Sequence, residues 1–105
     1  MNVLEKHPVD AGRVRKMPRQ FGAVDRGLVY RGWTQQLSME ALALYVLLVC
    51  VADAEGLSYY SDRRIGELLN VEPSEVVSAR ERLLRRGFIL YQRPMYQVLD
   101  LPEAP

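Results

Sequence analysis

Tyr59–Ile89 reads YYSDRRIGELLNVEPSEVVSARERLLRRGFI, a pattern of two helices with a short break between them. Ser61 is an N-cap, and Asp62 follows it where a negative charge suits the positive end of a helix. Ile65, Leu68 and Leu69 recur at i, i+3 and i+4, the stripe of a short amphipathic helix. Asn70-Val71-Glu72 form a three-residue turn. Pro73 then stands at a first helical position, where its missing N–H costs nothing. From Pro73 to Arg86, Val76, Ala79 and Leu83 mark one apolar face, and Gly87 closes the helix at C′.

Working outward, Phe88–Tyr91 and Met95–Leu99 read as two strands joined by Gln92-Arg93-Pro94, a hairpin. Upstream, Ser38 caps a third helix with Glu40 in its first turn. Leu42, Leu44, Tyr45, Leu48, Val49 and Ala52 surround its circumference, and a helix apolar nearly all round is expected at the centre of its domain. Asp53-Ala54-Glu55-Gly56 ends it, and Leu57–Tyr60 passes as a very short strand. Before it, a short helix is expected from Asp25 to Arg31, stopped by Gly32. The expected architecture is mainly α with a small β-hairpin (α+β). It divides into an N-terminal basic arm over 1–20, a folded domain over 21–101 and a tail over 102–105.

Composition agrees with one small folded domain: 105 residues, 49% hydrophobic, 26% charged. A chain of this size buries roughly 60–70% of its unfolded surface, enough for a modest core. The net charge of +1 looks unsuited to nucleic acid, but it is a cancellation. Met1–Leu37 holds seven basic and three acidic residues, a net +4. Ser38–Glu72 holds two basic and six acidic, a net −4, and Pro73–Pro105 five and four, a net +1. Such asymmetry points toward a polyanionic partner.

Other function classes find little support. Cys50, the single cysteine, can form neither an internal disulfide nor a cysteine-based zinc site, and is read as a small buried hydrophobe. His7, the single histidine, lies in the arm, away from any serine or cysteine that it could activate. Gly22, Gly27 and Gly32 match neither phosphate-binding glycine pattern. No enzyme, metal or cofactor is expected. The longest uncharged apolar run, Ala41–Ala52, is far short of a membrane span. The first twelve residues lack the apolar core of a signal peptide. A cytoplasmic location and no membrane partner follow as expectations.

LSMEALALYVLLVCVAD, the Tyr59–Ile89 block and the closing YQVL together resemble the bacterial winged helix-turn-helix domains. They are most similar to those of plasmid replication initiators and small mobile-element regulators. The most specific element is the second helix ending Arg86-Gly87-Phe88-Ile89. The resemblance covers Ser38–Leu99 and implies a three-helix core plus wing. It further implies a double-stranded DNA partner, with the protein regulating transcription or assisting replication or transposition, and a homodimer as the usual arrangement.

The resemblance and the periodicity together place Pro73, Ser74, Val77, Ser78, Glu81, Arg82 and Arg85 on the outward face of the second helix. Ser74 and Ser78 would donate to phosphates or base edges, and Arg82 would reach a guanine or a phosphate. Arg63 and Arg64 would touch backbone phosphates, with Arg85 also on the DNA side. Arg93 would sit at the wing tip, and Arg13, Arg15, Lys16 and Arg19 would trail along a groove.

Some residues fit another partner. Glu75 and Glu81 on the same helix would repel phosphates, and they support a second expectation: a protein–protein interaction module, for instance within a replication or transposition complex. Arg80 falls where the family has a buried apolar residue, so it is expected to snorkel outward or to pair with a carboxylate such as Glu67 or Glu72. Glu72 takes the cap position where Ser or Thr is usual. Arg63-Arg64 offset nearby acids, and Arg85-Arg86 suit a helix C-terminus without any ligand. Tyr45, Tyr59 and Tyr96 fall at core-like positions, and Trp33 is expected to staple the central helix.

Overall fold

The computed structural model describes residues 5–105. Within them the chain forms four α-helices and one three-stranded antiparallel sheet, an α+β architecture. The helices are α1 (Gly27–Tyr30), α2 (Met39–Val51), α3 (Asp62–Leu69) and α4 (Pro73–Arg86), with short 3₁₀ turns at Ala11–Arg13 and Trp33–Gln36. The strands are β1 (Leu57–Tyr59), β2 (Ile89–Gln92) and β3 (Met95–Val98). The first four residues of the chain, which open the expected arm, lie outside the described residues.

The caps explain where the helices start. Ser38 Oγ accepts from Ala41 N–H at 3.1 Å and Ser61 Oγ from Arg64 N–H at 3.1 Å, each satisfying a donor that the helix itself cannot. Glu72 makes no such bond before α4, and Pro73 makes the start instead. α1 is shorter than the expected Asp25–Arg31: Asp25 Oδ1 accepts from Gly27 N–H at 2.7 Å, and Gly32 leaves the helix at φ +83°.

Two glycines fix the connections. Between α3 and α4 the chain doubles back so closely that a Cβ on Gly66 would lie 2.7 Å from the Val71 carbonyl oxygen. Val71 N–H in turn bonds the Gly66 carbonyl at 3.0 Å, and Asn70 takes the left-handed conformation that the turn needs. After α4, Gly87 at φ +80° lets Phe88 N–H return to the Leu83 carbonyl at 3.0 Å. The reversal delivers Phe88 to the core, fully buried between Trp33 (centroids 5.0 Å, edge-on) and Tyr45 (5.4 Å).

The hairpin is part of a larger sheet. β3 is central, with β2 on one side and β1 on the other, in register Tyr91↔Tyr96 and Ser58↔Tyr96. The short strand expected alone over 57–60 is thus the third strand, and the hairpin turn is two residues, Arg93-Pro94. The core gathers Leu28, Trp33, Leu44, Tyr45, Leu48, Ile65, Val76, Leu83, Phe88, Ile89 and Tyr96 from every helix and from two strands.

Four expectations are corrected. α2 is covered on one side only: Ala41, Leu44, Tyr45, Leu48 and Val49 are buried, whereas Met39, Val46 and Cys50 are exposed. Cys50 is therefore a surface thiol, because the core reaches just one face of its helix. Tyr59 points outward, 69% exposed, since strand alternation buries Ser58 instead. Arg80 pairs with neither Glu67 nor Glu72 but with Asp62, at 2.6 Å. Trp33 is buried as a packing residue, and its Nε1 donates to the Pro102 carbonyl at 3.0 Å.

Arg80 also donates to the Tyr96 hydroxyl at 2.9 Å and lies 4.3 Å over the Tyr91 ring. Its side chain is 11% exposed. Burial alone would weaken its hold on the proton, but the bonds to Asp62 and Tyr96 more than offset this and raise its pKa. One side chain so ties the start of α3 and the middle of α4 to both hairpin strands. Removing it strands a carboxylate and a buried phenol, although Asp62 is about one-third exposed and can recover water. Arg80→Ala is expected to cost about 2–3 kcal/mol, read as a lower urea midpoint.

Burial raises the pKa of Tyr45, helped by Asp25, and that of Tyr96, where Arg80 opposes the shift. The unfolded chain releases these protons first, near pH 10. These two groups therefore leave stability unchanged below about pH 10 and lower it as pH rises toward their folded values. Urea unfolding at pH 8 and pH 11 checks this, and Tyr45→Phe should show a smaller alkaline loss than the parent chain.

Candidate nucleic-acid interface

α4 has two sides that differ in chemistry. Val76, Ala79 and Leu83 are buried, and the opposite side presents Ser74, Ser78, Glu81, Arg82 and Arg85, all exposed. Val77 is half-buried at the edge of that side. The spacing i, i+4, i+8 and i+11 from Ser74 to Arg85 puts the two hydroxyls and two guanidiniums in one row. The N-terminal end of α2 packs beside this row and closes an open groove of about 420 Å³. Ser38 and Glu40 of α2 line it together with Ser74, Glu75, Ser78, Glu81, Arg82 and Arg85. Four of the sequence-predicted site residues therefore share one surface feature, and three carboxylates share it with them.

Arg82 and Arg85 border a further concavity with Arg86. Arg86 is absent from the site read in the sequence, where its place at a helix end accounts for it without a ligand. Its alignment with the outer row is a matter of helix phase, and phase was the signal available to find it. Ser38 and Glu40 had no such signal, since they reach the groove only through the packing of α2 on α4.

The remaining predicted residues are exposed but not equally available. Arg64 bonds Glu67 at 3.2 Å and Arg63 approaches the same carboxylate at 3.8 Å, so each reaches an anion only in competition with Glu67. Arg93 sits on the hairpin turn, and Arg15, Lys16 and Arg19 lie on the exposed arm. Among the described residues, Arg13, Arg15, Lys16, Arg19, Arg82, Arg85, Arg86 and Arg93 have no carboxylate within 4.0 Å. Among the described residues, no hydrogen bond or ion pair joins the arm or Arg93 to the α4 row, so these cations stand as separate groups around it.

The arrangement offers hydroxyl donors and unpaired guanidiniums along one wall of an open groove, the donor set that phosphate oxygens and base edges accept from. Among the described residues no cluster of His, Cys, Asp and Glu is arranged to hold a metal ion. No described helix is long and apolar enough to cross a membrane. Comparison with protein-family models, curated proteins and solved structures finds no match.

Proposed function

We propose that this chain is a winged helix-turn-helix protein that binds double-stranded DNA, with α4 as its reading helix and the β2–β3 hairpin as its wing. In this role it regulates transcription or assists replication or transposition of a mobile element. The observation that carries the reading is the row Ser74, Ser78, Arg82 and Arg85, exposed along the helix that follows a three-residue turn. In helix-turn-helix units the second helix enters the major groove with its N-terminal residues toward the bases. Ser74 and Ser78 stand at that end of α4, so they take base edges, and Arg82 takes a base or a phosphate farther along.

Affinity and selectivity then reside in different places. The arm cations Arg13, Arg15, Lys16 and Arg19, with Arg85, Arg86 and Arg93, neutralise phosphates whatever the sequence. Glu40, Glu75 and Glu81 in the groove oppose phosphates and restrict how closely α4 can approach. The same carboxylates favour a second reading, in which this groove docks the basic side chains of a protein partner.

A salt titration of binding to random duplex DNA tests the proposal. Affinity should fall linearly with salt on logarithmic axes, each neutralised phosphate contributing a slope of about −0.9. Binding that is absent at low salt, or flat with salt, sinks it in favour of the protein-docking reading. Deleting residues 1–19 should weaken all duplex sequences alike and make the slope shallower. On a selected site, Arg82→Ala should cost about 1–3 kcal/mol if it reads a base, and loss of discrimination between sites identifies that role. Glu81→Gln should tighten binding to DNA, whereas under protein docking it should weaken partner capture.

A further inference from the structure

The DNA reading leaves one large surface feature unused, the outer side of α2. Between Ala41 and Ala52 the sequence has no charged residue, yet the core covers only one side of this helix. Met39 is 76% exposed and Val46 42%, with Cys50 exposed beyond them. Leu69 of α3 flanks the row, and Met39, Leu42, Ala43, Val46 and Leu47 line an open groove of about 390 Å³ with it. An uncharged, continuous apolar groove of this kind is a candidate protein contact.

The pattern of the face is self-complementary. Met39, Ala43, Val46 and Cys50 follow one another at intervals of four, three and four, the spacing of a helix–helix seam. Large and small residues alternate along it. Turned end for end about a point between Leu44 and Tyr45, the row sets Met39 against Cys50, Ala43 against Val46 and Leu42 against Leu47. Each large side chain then meets a small one, and the leucines meet each other.

The charges at the two ends agree with this direction. Asp53 and Glu55 follow the C-terminal end of α2, and its last turn holds no basic residue. The N-terminal end is positive by its dipole, and Glu40 there lines the α4 groove as well as a small hollow that it shares with Ala43 and Leu69. An antiparallel pair puts each negative end beside a positive one, and a parallel pair puts like ends together.

We propose that a second copy of this chain covers this face, the two α2 helices packing antiparallel about a two-fold axis. The inference stands apart from the DNA reading, since no residue of the seam belongs to the α4 row. A seam of 13 residues is roughly 20 Å long and about 10 Å wide, on the order of 200 Å², well under the ~800 Å² per partner of a standard interface. The pairing is therefore expected to be weak and reversible.

Sedimentation velocity on the full chain, from low micromolar to near-millimolar concentration, should show a monomer–dimer equilibrium. Val46→Glu should raise the dissociation constant at least ~10-fold while the circular dichroism stays unchanged. Should that variant unfold, Met39→Lys at the most exposed position carries the same test. Direction is read separately by mild oxidation. Met39→Cys should give a covalent dimer linking position 39 to Cys50 of a second copy, located by peptide mapping. The parent chain should not cross-link, because its two Cys50 residues lie roughly 16 Å apart along the axis. A monomer at every concentration overturns the proposal, as does a dimer indifferent to both charged variants. Cys50–Cys50 linkage in the parent chain, or none in Met39→Cys, overturns the antiparallel seam.

Discussion

The Arg80 guanidinium is the constraint on which the relation between helices and sheet depends. Apolar packing would hold α3, α4 and the hairpin together in several orientations of similar energy. A planar group with a carboxylate at one nitrogen, a phenol beside it and an aromatic ring below its face accepts very few. The network spans Asp62 at the head of α3, Arg80 in mid-α4, Tyr91 on β2 and Tyr96 on β3. It therefore sets the angle at which the hairpin leaves the helices. It also reinforces the rotation of α4 about its axis that its buried stripe of Val76, Ala79 and Leu83 already sets. A buried ion pair is not needed to make a domain of this size stable, and well-packed apolar residues often do as well. Its contribution here is orientation.

α2 is the second organising element, and it works on two sides. Leu44, Leu48 and Tyr45 supply the wall against which α4 and Phe88 pack, and the N-terminal end of the same helix borders the α4 groove. A helix in that position cannot tilt without disturbing the core and the groove together.

Much of the architecture is legible in the sequence because it is written in local chemistry. Ser38 and Ser61 announce helix starts, Pro73 a first turn, and Gly32 and Gly87 the stops; these are short-range effects on the backbone and need no tertiary knowledge. The outer row of α4 is legible for the same reason, since helical phase alone separates Ser74, Ser78, Arg82 and Arg85 from Val76, Ala79 and Leu83. What was not legible depends on partners distant in sequence. Arg80 chose Asp62, 18 positions away, over closer carboxylates, because the turn over Asn70–Glu72, packed tightly on Gly66, lays α3 against α4. β1 needed β3 to become part of a sheet. The apolar circumference of α2 does not say which side the core reaches, and so the exposure of Cys50 is not legible in it. The groove was half-legible: its α4 wall follows from phase, whereas Ser38 and Glu40 enter it only by packing.

The tie between Trp33 and the Pro102 carbonyl has a consequence for how this chain can be watched. Trp33 is the only tryptophan, its ring is sealed against Phe88, and its nitrogen is bound to the C-terminal segment that Arg31 also holds through the Pro102 and Glu103 carbonyls. Its emission is accordingly an internal gauge of one event, the docking of the last residues over the core. The indole is remote in sequence from α4 and shielded from solvent, so its colour follows folding and the seating of the C-terminus. A change in that signal when a ligand is added reports a rearranged core.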